Sequence, residues 1–90
     1  MDLGLKDKVV IVTGGGAGIG GAISRALAAE GAIPVIFARR APDAGFLAGL
    51  QAQVSSCDWL QVELSKDDEV RAAVAATRDR WGQVYGLVNN

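Results

Sequence analysis

Thr13-Gly14-Gly15-Gly16-Ala17-Gly18-Ile19-Gly20 stands between the apolar run Val9-Val10-Ile11-Val12 and a helix-patterned stretch that begins at Ile19. Glycines at such a junction let the chain turn sharply out of a strand. They also let bare backbone approach a pyrophosphate, whose charge then rests on the amides of the following helix N-terminus. Two spacings compete for the role of phosphate cradle. Gly16, Gly18 and Gly21 satisfy the G-x-G-x-x-G count but begin far from the strand, whereas Gly14, Gly18 and Gly20 follow Thr13 directly and fit the strand-to-helix geometry better. A flexible glycine linker is the alternative, and the framing by a buried strand and an amphipathic helix speaks against it.

Outward from this junction, short apolar runs alternate with longer helix-periodic stretches, with no internal repeat and no low-complexity linker. A first strand over 8–13 is β-branched and apolar at nearly every position, the pattern of a strand covered on both faces and central in its sheet. The first helix is expected to put Ile19, Ile23, Ala26 and Leu27 on one face and to stop at Gly31. A second strand over 34–38 opens on Pro34. Asp43 caps a short helix carrying Phe46, Leu47 and Leu50, and a third strand covers 59–64. Cys57 beside it is read as a small apolar filler, and Trp59 and Trp81 as core residues without a site role.

Ser65 followed by Asp68 has the capping-box pattern. Val70, Ala73, Val74, Thr77 and Trp81 then recur at helical spacing until Gly82, and a last strand covers 84–90. The order β-α-β-α-β-α-β with right-handed crossovers gives a parallel sheet with helices on both faces, the last strand beside the first.

Ninety residues make at most one small domain, and half of them are hydrophobic, which argues against disorder. The net charge is −1 with both signs interleaved, so there is no basic face for nucleic acid and no polybasic segment for a membrane surface. Partners are expected to be small molecules or copies of the chain. No aliphatic run approaches the ~20 residues of a membrane span. Met1-Asp2-Leu3-Gly4 lacks the charged and apolar regions of a secretory leader, and the single Cys57 has no internal disulfide partner. Both point to the cytoplasm. Without histidine, the chain cannot build the usual zinc constellations or a Ser-His or Cys-His pair, so no metal site is expected.

Ligands of such sheets lie beyond the carboxyl ends of the strands, where the connections diverge. The second strand ends Phe37-Ala38-Arg39-Arg40, in the region where an NAD-binding chain usually offers a carboxylate to the ribose hydroxyls. Arginine cannot accept from a 2′-hydroxyl but grips a 2′-phosphate through charge-assisted hydrogen bonds, which favours NADP while leaving NAD possible. A solvated basic pair is the bland alternative. At the end of the third strand, Glu63 would accept from the adenine amino group while Leu64 packs on the ring. Glu63 is equally readable as a solvated strand-end charge.

The glycine stretch 13–20, taken with Leu87-Val88-Asn89-Asn90 after a helix ending Trp81-Gly82, resembles the short-chain dehydrogenase/reductase family. The resemblance covers nearly the whole chain but only the first part of a family member. It implies an α/β fold of Rossmann type, a doubly wound parallel sheet of which residues 1–90 are the N-terminal NAD(P)-binding segment, incomplete at its C-terminal end. It further implies that Gly14, Gly16, Ala17 and Ile19 contact the cofactor, with Gly18 and Gly20 keeping turn and helix close. Glu63 and Leu64 would hold adenine, Arg39 and Arg40 the 2′-phosphate, and Asn90 a ribose, while Asn89 braces the sheet. The family's catalytic Ser, Tyr and Lys fall outside residues 1–90. Tyr85 is no substitute, because a Tyr-x-x-x-Lys pair would need Lys where Asn89 stands.

The sequence departs from the family pattern in three places. Ala17 stands where many NADP users carry a basic residue, Glu63 replaces the commoner Asp, and Tyr85 replaces the commoner Asp before the last strand. Phosphate recognition would then rest on Arg39 and Arg40. The segment 32–43 is similar to bacterial sugar dehydrogenases of the L-fucose type. The expected activity is that of an NAD(P)-dependent oxidoreductase acting on a CH–OH group, a sugar such as L-fucose, in a homo-oligomer that the resemblance makes a tetramer.

Two alternatives stand beside it. One is a non-catalytic or truncated nucleotide-binding module, and the other is an S-adenosylmethionine enzyme on the same cradle, which would not need the two arginines. An isolated chain of this length is also expected to leave an unpaired apolar edge and to be poorly soluble.

Overall fold

The computed structural model describes residues 3–90, so Met1 and Asp2 of the leader reading lie outside the described residues. β1 (Val9–Thr13) is buried along its whole length, as its unbroken β-branched run requires. It is followed by α1 (Gly18–Ala29), β2 (Ile33–Ala38), α2 (Ala44–Gln53), β3 (Asp58–Gln61), α3 (Asp67–Trp81) and β4 (Val84–Asn89). The strands form one sheet in the order β3-β2-β1-β4, and every pairing is parallel. The chain thus leaves β1 toward β2 on one side and returns as β4 on the other, which opens a crevice at the carboxyl end of β1.

Two apolar layers sandwich this sheet. Val9, Ile11, Val35 and Phe37 face α3 and pack with Val62 and Ala73, while Ile36 faces α1 and α2 and packs with Ala28, Leu50 and Cys57. Burying side chains such as Phe37, Ile36 and Val35 stabilises the fold by about 1.5–3 kcal/mol each. Trp59 and Trp81 pack at the margins of these layers, and each indole N–H is satisfied by backbone: Trp59 Nε1 donates to Ala38 O and Trp81 Nε1 to Ser56 O. No helix among the described residues is long and apolar enough to cross a membrane.

Three local expectations are corrected. α1 does not bury the face of Ile19, Ile23, Ala26 and Leu27: Ile19 is 75% exposed, and the residues pressed inward are Gly20, Gly21, Ser24 and Ala28. Small residues let the helix lie close on the sheet, and a side-chain hydroxyl that finds a backbone acceptor is as easily buried as a methyl group. β3 ends at Gln61 rather than residue 64, because its partner β2 ends at Ala38. Val62 N still donates to Ala38 O, and the chain then turns away, with Lys66 N donating to Glu63 O.

The capping box of Ser65 and Asp68 does not form. α3 has Lys66 at its cap position without a side-chain cap, and Ser65 Oγ donates to Glu63 Oε1 instead. Asp67, Asp68 and Glu69 in the first turn, with Arg78 and Arg80 in the last, complement the helix dipole in its place. Three other expected helix boundaries follow their local chemistry, among them Gly82, which ends α3 with φ of +90°. Asp43 caps α2 by accepting from Gly45 N and Phe46 N, and Gly31 follows α1 with φ of +83°.

Candidate functional site

The carboxyl end of β1 is built as a cradle. Gly14 takes φ of +64°, a region that costs little without a Cβ, and its N–H donates to Phe37 O at the end of β2. In the first turn of α1, Gly20 is held against the same loop. A Cβ there would overlap Gly14 O and stand 2.8 Å from Asn90 Nδ2. Ser24, wholly buried on α1, donates through Oγ to Gly15 O at 2.9 Å and fixes the loop from beneath. No side chain caps the start of α1 at Ala17, and its first turn carries no acid. The first amides of a helix have no intrahelical acceptor, so those of α1 are left available to an anion.

On the other side of the crevice, Thr13 ties β1 to β4. Its hydroxyl accepts from Asn90 N at 3.0 Å, and its proton faces Val88 O and Asn89 Oδ1, each at 3.3 Å. Asn89 thus places its side-chain oxygen within reach of the Thr13 hydroxyl at the sheet end.

A cleft of about 320 Å³ opens beside the loop, lined by Gly14, Gly16, Ala17, Arg40, Pro42 and Asp43, with Ala38 and Ala41. Of the residues singled out in the sequence, Gly14, Gly16, Ala17 and Arg40 thus share one cleft, with Gly18 and Gly20 in the first turn of α1 behind it and Asn90 against Gly14 and Gly20. Ile19 stands exposed in that same first turn.

The remaining three lie elsewhere. Arg39 is absent from the cleft lining, and its Nη1 stands 3.6 Å from Glu63 Oε2. Hydrogen bonds from Ser65, with the Arg39 and Lys66 charges, hold the Glu63 carboxyl below its ordinary range. Leu64 lines a separate apolar hollow of about 430 Å³ on the α3 face, with Ile11, Phe37, Val70, Val84 and Leu87. Burial raises the Cys57 thiol, with the Asp58 charge adding to it, in keeping with an inert filler.

Thr13, Ser24, Pro42 and Asp43 are the contributors that sequence reasoning missed. Ser24 carried a readable signal, since it lies four positions after Gly20 on the face of α1 that also holds Ala28.

The comparisons with known proteins agree with this fold. The family model described as short chain dehydrogenase matches residues 8–90. Acetoacetyl-CoA reductase of Synechocystis sp. is 39% identical over 90 residues, spanning 100% of this chain and 34% of that protein. L-fucose dehydrogenase of Bos taurus is 36% identical over 83 residues, spanning 92% of this chain and 30% of that protein. Among solved structures, the crystal structure of Cj0485 dehydrogenase superposes with a TM-score of 0.96 at 37% identity, over 100% of this chain and 34% of that one. The chain spans about a third of the length of the curated relatives it matches.

Proposed function

The chain belongs to the short chain dehydrogenase family, and from that membership we propose that it is the cofactor-holding part of an oxidoreductase that uses NADP to act on a carbon bearing a hydroxyl group. The observation that carries this reading is the convergence of the Gly14–Gly16 backbone, the uncapped start of α1 and the Arg40 side chain on one cleft. A Cβ at Gly20 would meet Gly14 O, as expected where the helix must pack close against the loop that turns toward a pyrophosphate. The Gly14, Gly16 and Ala17 backbone and the first amides of α1 would hold the diphosphate. Arg40 in the cleft, with Arg39 beside it on the Glu63 side, would meet the 2′-phosphorylated ribose, and Asn90, fixed through Thr13, would meet the nicotinamide side. When bound, the nicotinamide supplies the hydride chemistry; residues 1–90 contribute position and charge.

The substrate proposed is a sugar, oxidised at its hemiacetal or a secondary alcohol carbon. The support is the likeness to the L-fucose dehydrogenase of Bos taurus, and the likeness to acetoacetyl-CoA reductase marks how far substrates range among relatives. A homo-oligomer accords with the net charge of −1, which gives copies little mutual repulsion, and a cytoplasmic setting with the single Cys57, which has no disulfide partner in the chain.

The test is a calorimetric titration with NADPH and with NADH. NADPH is expected to bind more tightly, and Arg39→Asp combined with Arg40→Ala to abolish the difference. An unchanged preference in the double variant would sink the phosphate assignment. Binding of S-adenosylmethionine in place of either dinucleotide would sink the family of reactions altogether.

A further inference from the structure

Arg39 and Arg40 are adjacent in sequence but stand in different surroundings. Arg40 lines the cleft of the glycine loop. Arg39 is drawn to the segment that follows β3, where Glu63 Oε2 lies 3.6 Å from its Nη1, and Gln61 Nε2 donates to Arg39 O at 3.4 Å. Glu63 is itself anchored from behind. Its Oε1 accepts from Ser65 Oγ at 3.0 Å and from Ser65 N at 3.4 Å, and its backbone N–H donates to Glu69 Oε1 at 3.1 Å. The carboxylate is therefore held in place with its second oxygen presented to Arg39.

We propose that Glu63 is a selectivity residue of the dinucleotide site, acting through Arg39: by pairing with that guanidinium it draws Arg39 out of the cleft and leaves recognition of a 2′-phosphate to Arg40. This rests on the dinucleotide reading above and assigns Glu63 to the arginine rather than to adenine. A carboxylate and a phosphate compete for the same planar fork of donors, so one arginine serves one of them at a time. The pair is open to solvent, with side chains 69% and 30% exposed, and such pairs are weak. Glu63 therefore tempers the preference for a phosphorylated cofactor rather than abolishing it.

The experiment is a calorimetric titration of the full chain with NADPH and NADH, read as the ratio of the two affinities. Glu63→Gln keeps shape and removes charge, and is expected to raise the NADPH:NADH ratio roughly two- to five-fold, the range an exposed pair allows. Adding Arg39→Ala to Glu63→Gln is expected to remove that gain, while Arg40→Ala alone lowers the ratio about ten-fold or more. A gain that survives Arg39→Ala would mean that Glu63 acts on the phosphate by direct repulsion and would overturn the proposal. An unmoved ratio in Glu63→Gln would overturn it alone. A parent chain that binds neither dinucleotide, or both equally, would sink the cofactor reading and this inference together.

Discussion

The backbone amide of Asn90 donates to Thr13 Oγ1 at 3.0 Å across a sequence separation of 77. One buried hydroxyl so fastens the end of β4 to the end of β1, at the point where Gly14 opens the cradle. The nicotinamide side of the proposed site is thus tied to the residue that directly precedes the glycine loop.

Thr13→Val preserves shape and removes the hydroxyl. Asn90 is exposed and its amide can find water, so the cost falls near the modest end for a hydrogen bond, about 1 kcal/mol. A fall in melting temperature of about 4–8 °C is expected for a chain of this size, together with weaker NADPH binding. Calorimetry on the variant checks the first and titration the second; an unchanged melting temperature would show that the tie carries no stability.

Gly20→Ala places its methyl group against Gly14 O, a backbone atom that no rotamer change can move aside. The helix must back away from the loop, at a cost of about 1–3 kcal/mol. Dinucleotide affinity is expected to fall at least about ten-fold with retention of the far-ultraviolet circular dichroism, because the cradle loses its spacing while the helix persists. Full affinity in this variant would mean that the close approach serves packing alone.

Ser24→Ala leaves Gly15 O without its partner beneath the loop. A buried carbonyl so orphaned costs about 1–3 kcal/mol, whereas Ile19, 75% exposed on the same helix, is expected to tolerate alanine within about 0.5 kcal/mol. Denaturant unfolding of the two variants compares them directly, and equal stability losses would contradict the buried face described for α1.

Asp58 couples the end of α3 to β3 through Arg80, whose Nη1 lies 2.7 Å from Asp58 Oδ2 and whose guanidinium also stacks over Trp81 at 4.2 Å. Burial pushes the Asp58 carboxyl up, but the Arg80 hydrogen bond, the Trp59 amide and the Arg80 charge together bring it below its ordinary value of 3.8. A carboxyl lowered in the folded state adds stability that is fully present above that ordinary value and is lost as pH falls through the folded one. Asp58→Asn is therefore expected to lower the melting temperature at neutral pH, with the gap to the parent closing below about pH 4. A gap that stays constant down to acid pH would show that the carboxylate charge is not the source.

Much of this architecture is written locally. The continuous β-branched run of β1 demanded a central strand, Asp43 and Gly31 marked helix ends by their own chemistry, and the glycines after Thr13 announced a close backbone approach. Those signals are short-range, so sequence carries them without the fold. What sequence could not supply depended on partners distant along the chain. The inward face of α1 was settled by how closely it lies on the sheet, which favoured Gly20, Ser24 and Ala28 over the larger Ile19. The end of β3 was settled by where β2 stops offering hydrogen bonds, which moved Ser65 from a cap to a partner of Glu63. Arg39 and Arg40, indistinguishable by sequence, were separated by an ion pair with a carboxylate that only parallel pairing of β2 and β3 brings near. Local sequence determined that a glycine cradle follows β1; tertiary structure decided which charges stand around it, because charge placement depends on strands that meet only when the sheet is assembled.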